Sequence, residues 1–204
     1  MVGQEMSVAQ VMEEIERDVP FYNQSGGGVT FSGGEPLMQP DFLLALLKAC
    51  REKDIHTALD TCGFAPWDIL DSVRGYVGLF LYDLKLVDDA AHRKFTGVSN
   101  EIILRNLQRL SERGHDIFLR TPIVPGINAD DKKDEHIRQI GAFAASLPRL
   151  GRVDVLPYHH IAQEKYERLG QVYKLPETRP PSDERMAEIA QLLREYELQV
   201  KIGG

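Results

Sequence analysis

Two cysteines, Cys50 and Cys62, are all that the 204 residues contain, so a disulfide framework is excluded. Metal sites built from three or four thiolates of this chain are excluded with it. No apolar run approaches the roughly 20 residues of a membrane-spanning helix. Basic residues are also in deficit: 24 Lys and Arg against 31 Asp and Glu leave a formal charge of −7. That balance argues against nucleic acid or an anionic membrane as the main partner. The start, Met1-Val2-Gly3-Gln4-Glu5, lacks the basic and apolar regions of a signal peptide, which implies a cytoplasmic protein. What remains is 43% hydrophobic and 27% charged, the make-up of one globular domain over residues 1–204. A chain of this length buries about 70% of its unfolded surface and needs no staple.

Apolar periodicity divides the chain into alternating helices and short strands. Ser7-Val8-Ala9-Gln10 has the form of a capping box, followed by Val8, Val11, Met12 and Ile15 on one helical face. Val29-Thr30-Phe31 is a β-branched and aromatic run closed by Gly33-Gly34. Pro40-Asp41 opens a helix whose stripe is Phe42, Leu43, Leu46, Leu47 and Cys50. Strands are expected at 55–59, 77–82, 117–120, 153–156 and 198–202. Helices are expected around 67–73, from a cap at Asn100 to an αL terminator at Gly114, at 134–147 and at 182–196. The polar stretch from His159 to Pro181 has the length of a functional loop. Alternating βα units with strands buried on both faces mean a parallel α/β sheet with helices outside. Roughly five parallel strands and a terminal one are too few for a closed eight-stranded barrel. Without a G-x-G-x-x-G turn, an open or partial barrel is favoured over a doubly wound dinucleotide fold.

In parallel α/β folds the site lies at the carboxyl ends of the strands. Those ends carry Ser32-Gly33-Gly34-Glu35-Pro36, Asp60-Thr61-Cys62-Gly63, Asp83-Leu84-Lys85, Arg120-Thr121-Pro122 and Pro157-Tyr158-His159-His160. Each has an ordinary structural use as well. The glycines make a tight turn, the aspartates cap helices, Lys85 is a rim charge, Arg120 an ion-pair partner and His159 a loop residue. Cys62 fits a turn better than a reactive thiol, and Cys50 fits the core. An ionisable group at each of these successive strand ends is harder to dismiss. Together they suit a small zwitterionic nucleoside. Glycines admit close backbone approach, Glu35 and the aspartates meet an ammonium or ribose hydroxyls, Lys85 meets a carboxylate, and an imidazole lies on a heteroaromatic ring.

The segments 27–36 (Gly-Gly-Val-Thr-Phe-Ser-Gly-Gly-Glu-Pro), 60–63 (Asp-Thr-Cys-Gly), 82–85 (Tyr-Asp-Leu-Lys), 96–100, 122–128 and 156–159 (Leu-Pro-Tyr-His) stand in a telling order and spacing. The chain resembles the glycyl radical enzyme activating enzymes of the radical S-adenosylmethionine superfamily, from about residue 6 to its end. The resemblance implies an open, partial parallel (βα)6-type barrel. It implies that Gly33, Gly34, Glu35 and Pro36 cradle the methionine amino group, Gly34 most closely. Asp83, Leu84 and Lys85 would meet the ribose and the methionine carboxylate. Asp60 and Thr61, with Asp83, would border a monovalent cation. His159 would pack on adenine, with Arg120 lining that side. Residues 96–100 and the loop after His159 would face the glycine loop of the partner enzyme. In such enzymes a reduced [4Fe-4S] cluster, fed by flavodoxin or ferredoxin, cleaves S-adenosylmethionine, and the 5′-deoxyadenosyl radical takes a hydrogen atom from a partner glycine. The departure is the cluster motif, Cys-x3-Cys-x2-Cys, which this chain lacks. A chain missing that region and the first barrel strand is expected to bind S-adenosylmethionine but not to initiate radicals alone. The competing readings are a non-catalytic module binding S-adenosylmethionine or docking the partner, and a cofactor-free barrel enzyme with Lys85 as Schiff base. An exposed first-strand edge implies dimerisation or poor solubility, unless the helix from Ser7 shields it.

Overall fold

The computed structural model describes residues 4–129, 133–159 and 177–203. The elements in chain order are α1 (Val8–Arg17), α2 (Val19–Ser25), β1 (Val29–Phe31), a 3-10 turn (Pro36–Met38), α3 (Pro40–Glu52), β2 (Thr57–Thr61), α4 (Trp67–Arg74) and β3 (Leu79–Asp83). There follow α5 (Asp89–Thr96), α6 (Glu101–Glu112), β4 (Ile117–Ile123), α7 (Glu135–Ala145), β5 (Arg152–Pro157), α8 (Asp183–Arg194) and β6 (Val200–Ile202). The strands form one open sheet in the order β1-β2-β3-β4-β5-β6, every pair parallel.

The local signals explain most of these elements. Ser7 closes α1 with the expected box, its hydroxyl accepting from the Gln10 amide at 3.3 Å while the Gln10 side chain accepts from the Ser7 amide at 2.8 Å. Met12 and Ile15 are buried beneath it. In α3 the stripe Leu43, Leu46, Leu47 and Cys50 is buried as read, and Cys50 is wholly enclosed with its sulfur 3.8 Å from that of Met12. Burial pushes that thiol up to about 11, as an apolar setting does to any group that must ionise. Gly114, at φ +76°, ends α6 in the left-handed conformation.

Other expectations are corrected. The second strand starts at Thr57 rather than Ile55, because the Ile55 amide still donates to Cys50 O and Asp54 is left-handed at φ +55°. The strand also runs on to Thr61, which puts Asp60 and Thr61 inside β2 instead of after it. Asn100 does not cap α6 with its side chain. Its amide nitrogen donates instead to Leu86 O and Val87 O, tying down the chain that leaves β3. Helices α2 and α5 lie where the periodicity gave no signal: Asp88 caps α5, accepting from the Ala91 amide at 2.6 Å. The loop from His159 is described only at its ends, so its reading falls outside the described residues between 160 and 176.

The core runs the length of the sheet, from Leu59 through Phe80, Tyr82, Leu107 and Leu119 to Val155, Ile189 and Leu193, each fully enclosed. Side chains of a strand alternate between faces. On β4 this makes Ile117, Leu119, Thr121 and Ile123 buried, while Phe118, Arg120 and Pro122 lie on the opposite, half-open face.

Candidate functional site

The half-open face carries charges at the carboxyl ends of neighbouring strands. In register, Asp60 of β2 faces Leu81 of β3, and Asp83 of β3 faces Arg120 of β4. The guanidinium of Arg120 lies among these acids. Its Nη1 and Nη2 meet the two Asp60 oxygens at 3.1 Å each, and its Nε donates to Asp83 Oδ1 at 3.0 Å. This forked geometry suits Arg and not Lys. Lys85 Nζ stands 4.0 Å from the other Asp83 oxygen. The set is only partly withdrawn from solvent, with side-chain exposure of 23% for Asp60, 26% for Asp83 and 42% for Lys85. Burial raises the Asp60 carboxyl above its usual range, the charge of Arg120 pulls it back, and Asp83 pushes it up again. Burial works against the Arg120 charge, but the two carboxylates more than offset that and hold it above its ordinary value.

Beside this cluster sits a second one. Glu35, leaving β1, accepts from Thr61 Oγ1 at 2.7 Å and the Leu37 amide at 3.2 Å on one oxygen, and from the Cys62 amide and thiol at 3.0 Å each on the other. Both oxygens are thus fully engaged by protein donors. Thr61 in turn accepts from the Gly63 amide at 2.9 Å. Burial, and then donation to Glu35, lifts the Cys62 thiol to about 11. Cys62 is therefore a protonated donor inside a turn, the structural use favoured over a reactive thiol. Gly63 needs its lack of a side chain, since at φ +67° an added Cβ would fall 1.8 Å from the Tyr82 hydroxyl.

The clasp on Glu35 suspends the glycine turn above it. Gly33 has φ +114°, and a Cβ on either Gly33 or Gly34 would meet nothing within 4 Å. Both glycines are exposed, so their backbone faces open space. Pro36 begins the 3-10 turn whose Leu37 is buried. Leu84 is fully buried, so only its backbone reaches the site, where its amide donates to Arg120 O at 2.9 Å. His159 is exposed just beyond the carboxyl end of β5. The structure thus joins Asp60, Asp83, Lys85 and Arg120 directly, joins Glu35 to Thr61, and leaves Gly33, Gly34 and His159 exposed at the ends of their own strands.

An open glycine backbone beside an acid–base cluster of mixed charge fits a zwitterion that carries hydroxyls, the donor set that S-adenosylmethionine presents. An iron–sulfur cluster does not fit these residues. Among the described residues no group of three His, Cys, Asp or Glu could hold a metal ion. The two cysteines are committed separately, one to the core and one to Glu35.

Sequence reasoning missed the Cys62–Glu35 bond and an ion pair on β5, half-buried Arg152 with buried Asp154. The spacing of two along a strand was the available signal for the second.

The Radical SAM superfamily profile matches residues 2–136. The trans-4-hydroxy-L-proline dehydratase activating enzyme of Clostridioides difficile is 43% identical over 205 residues, covering 100% of this chain and 67% of its own. The pyruvate formate-lyase 1-activating enzyme of Escherichia coli (strain K12) is 34% identical over 95% of this chain and 78% of its own. A solved domain of pyruvate-formate lyase-activating enzyme from Bacteroides vulgatus superposes with a TM-score of 0.72 at 38% identity, over 87% of this chain and 99% of that one. For other curated relatives the chain spans less, 65% of a choline trimethylamine-lyase activating enzyme and 61% of an indoleacetate decarboxylase activating enzyme. By sequence and by fold, the chain belongs to the radical SAM superfamily and, within it, to the activating enzymes of glycyl radical enzymes.

Proposed function

We propose that this chain is the S-adenosylmethionine-binding portion of an activase that installs a glycyl radical on a partner enzyme. The observation that carries the reading is the contact of Asp60, Arg120, Asp83 and Lys85 next to the strand whose exposed Gly33-Gly34 turn leaves backbone free. The relatives' names supply the reaction class. When bound, S-adenosylmethionine supplies a sulfonium carbon–sulfur bond whose reductive cleavage starts hydrogen abstraction from the partner's glycine. The superfamily pairs it with a [4Fe-4S] cluster, for which the thiolates of this chain are insufficient, so residues 1–204 are not expected to initiate radicals alone.

This chain's own residues bind and orient. Backbone groups of Gly33 and Gly34 approach the methionine ammonium, and Glu35, held by Thr61 and Cys62, fixes that turn instead of meeting the ligand. Pro36 redirects the chain away from the pocket. Lys85 takes the methionine carboxylate, and the Asp83 oxygen that faces Lys85 takes a ribose hydroxyl. Arg120 supplies the positive charge between Asp60 and Asp83. A monovalent cation would share their remaining lone pairs, and Leu84 contributes backbone alone. His159 lies on the adenine ring. Residues 96–100 border the entry of the partner's glycine loop.

The single sheet with one continuous core supports a single domain over residues 1–204. A reduced flavodoxin or ferredoxin is the matching one-electron donor. Among the described residues β1 pairs on one side only, through three residues, which supports strand-edge dimerisation. No helix of the described residues is long and apolar enough to cross a membrane, in keeping with a cytoplasmic place.

Titration calorimetry with S-adenosylmethionine tests the reading. Asp83→Asn removes a charge-assisted contact, so affinity should fall by about 1.5–3 kcal/mol, roughly 10- to 150-fold. An unchanged affinity, or no binding by the parent chain, overturns the assignment.

A further inference from the structure

An ion pair on β5, half-buried Arg152 with buried Asp154, lies beside the ligand-facing set. Arg152 donates from Nε to Asp154 Oδ1 at 2.7 Å and from Nη2 to Oδ2 at 3.1 Å. The Asp154 side chain is 2% exposed. The Arg152 guanidinium lies over the Phe118 ring, 3.9 Å from its centroid, which fixes the plane of the fork. Two residues apart on one strand, Arg152 and Asp154 share a face.

Register shows what they share it with. Phe118 pairs with Arg152 and Arg120 with Asp154, while Asp83 pairs with Arg120 from the other side. In-register neighbours of a parallel sheet point to the same side. Arg120 therefore has an aspartate on each flank at its own level, Asp83 on β3 and Asp154 on β5. Its side-chain bonds run toward β3 and β2, to Asp83 and Asp60. The difference between the flanks is Arg152, which already satisfies both oxygens of Asp154. Remove that fork, and a carboxylate left unpaired in the interior must find a cation. Lys201 of β6 is in register with Asp154 but exposed, a compact and strongly hydrated ammonium. Arg120 presents a less hydrated fork from the adjacent strand.

We infer that Arg152 is a positioning residue: by neutralising Asp154 from below, it keeps Arg120 turned toward Asp60 and Asp83. This rests on the reading of that side as the S-adenosylmethionine site, and its test therefore has a readout that needs no ligand. The probe is the Arg120 Nε–Hε resonance in nitrogen-15 spectra of the full chain, assigned by its loss in Arg120→Lys. Arg152→Met should move that resonance and weaken S-adenosylmethionine binding roughly tenfold. Adding Asp154→Asn to Arg152→Met should return both toward the parent values, although the ion pair is gone. A structural role alone predicts the reverse, a double variant no better than the single one. Should Arg152→Met not fold, Arg152→Gln, which retains a neutral donor, carries the same comparison. A resonance that stays in place in the single variant, as capture of Asp154 by Lys201 would leave it, overturns the inference. So does a double variant that remains displaced. If the resonance moves and returns while no variant and no parent binds S-adenosylmethionine, the positioning role holds and only the ligand assignment falls.

Discussion

Glu35 commits both oxygens to neutral donors from Thr61, Cys62 and Leu37, whereas Asp60 gives both of its oxygens and Asp83 one to a guanidinium, and both acids stay about a quarter exposed. The two clusters meet at the end of β2, where Asp60 and Thr61 are consecutive, and they are suited to different tasks. Neutral donors that saturate a carboxylate leave it little to exchange, and on the proposed reading Glu35 is an architectural group. An ion pair open to water can trade partners with an incoming charge at little cost. The sheet thus separates an acid that shapes the turn from acids whose partners are open to exchange, though all of them stand at strand ends.

The separation breaks most visibly at Glu35. Glu35→Ala leaves the Thr61 hydroxyl and the Cys62 amide without an acceptor, and unsatisfied buried donors cost about 1–3 kcal/mol each. Urea unfolding should show a loss of roughly 2–4 kcal/mol, together with lost S-adenosylmethionine binding; a stability within about 0.5 kcal/mol of the parent would refute the clasp. Gly34→Ala sharpens the contrast from the other side. The added methyl meets open space and the backbone is not left-handed, so folding should be unchanged or favoured by about 0.4–1 kcal/mol. On the proposed reading the same methyl covers backbone that the ligand approaches, and binding measured by calorimetry should drop. The smallest effect is chemical. With the Cys62 thiol held at about 11 against roughly 8.5 for a free cysteine, native protein at pH 8.5 should react with iodoacetamide far more slowly than urea-unfolded protein. Mass mapping should find Cys50 protected as well. Rapid labelling of Cys62 in the folded state would mean that its bond to Glu35 does not persist.

Much of the fold was legible because the short-range signals agreed with one another. The Ser7 box, the Pro40 start and the apolar stripe of α3 each name a local choice that the packing keeps. The strand ends were legible because a parallel sheet collects its functional groups at one rim. What escaped depends on pairing across the sheet. The start of β2 moved to Thr57 because α3 continues to bind Ile55, a contact without a periodic signature. Asn100 has the chemistry of a cap, yet it is taken up by two carbonyls after β3. Nothing local shows that Leu84 turns inward or that Arg120 bonds toward β3 while register sets an aspartate on each side of it. Cys62 lies just past β2 in a structural setting, but its hydrogen bond to Glu35 spans 27 positions and no spacing rule reaches that far.

Strand order in this sheet is the same as chain order. Each new βα unit therefore docks on an edge made by the unit just before it, and no strand waits for a partner from the far end of the polypeptide. Loop-closure entropy is met in small instalments, so assembly can advance vectorially as a ribosome delivers the chain, with every intermediate exposing one fresh edge to the next unit.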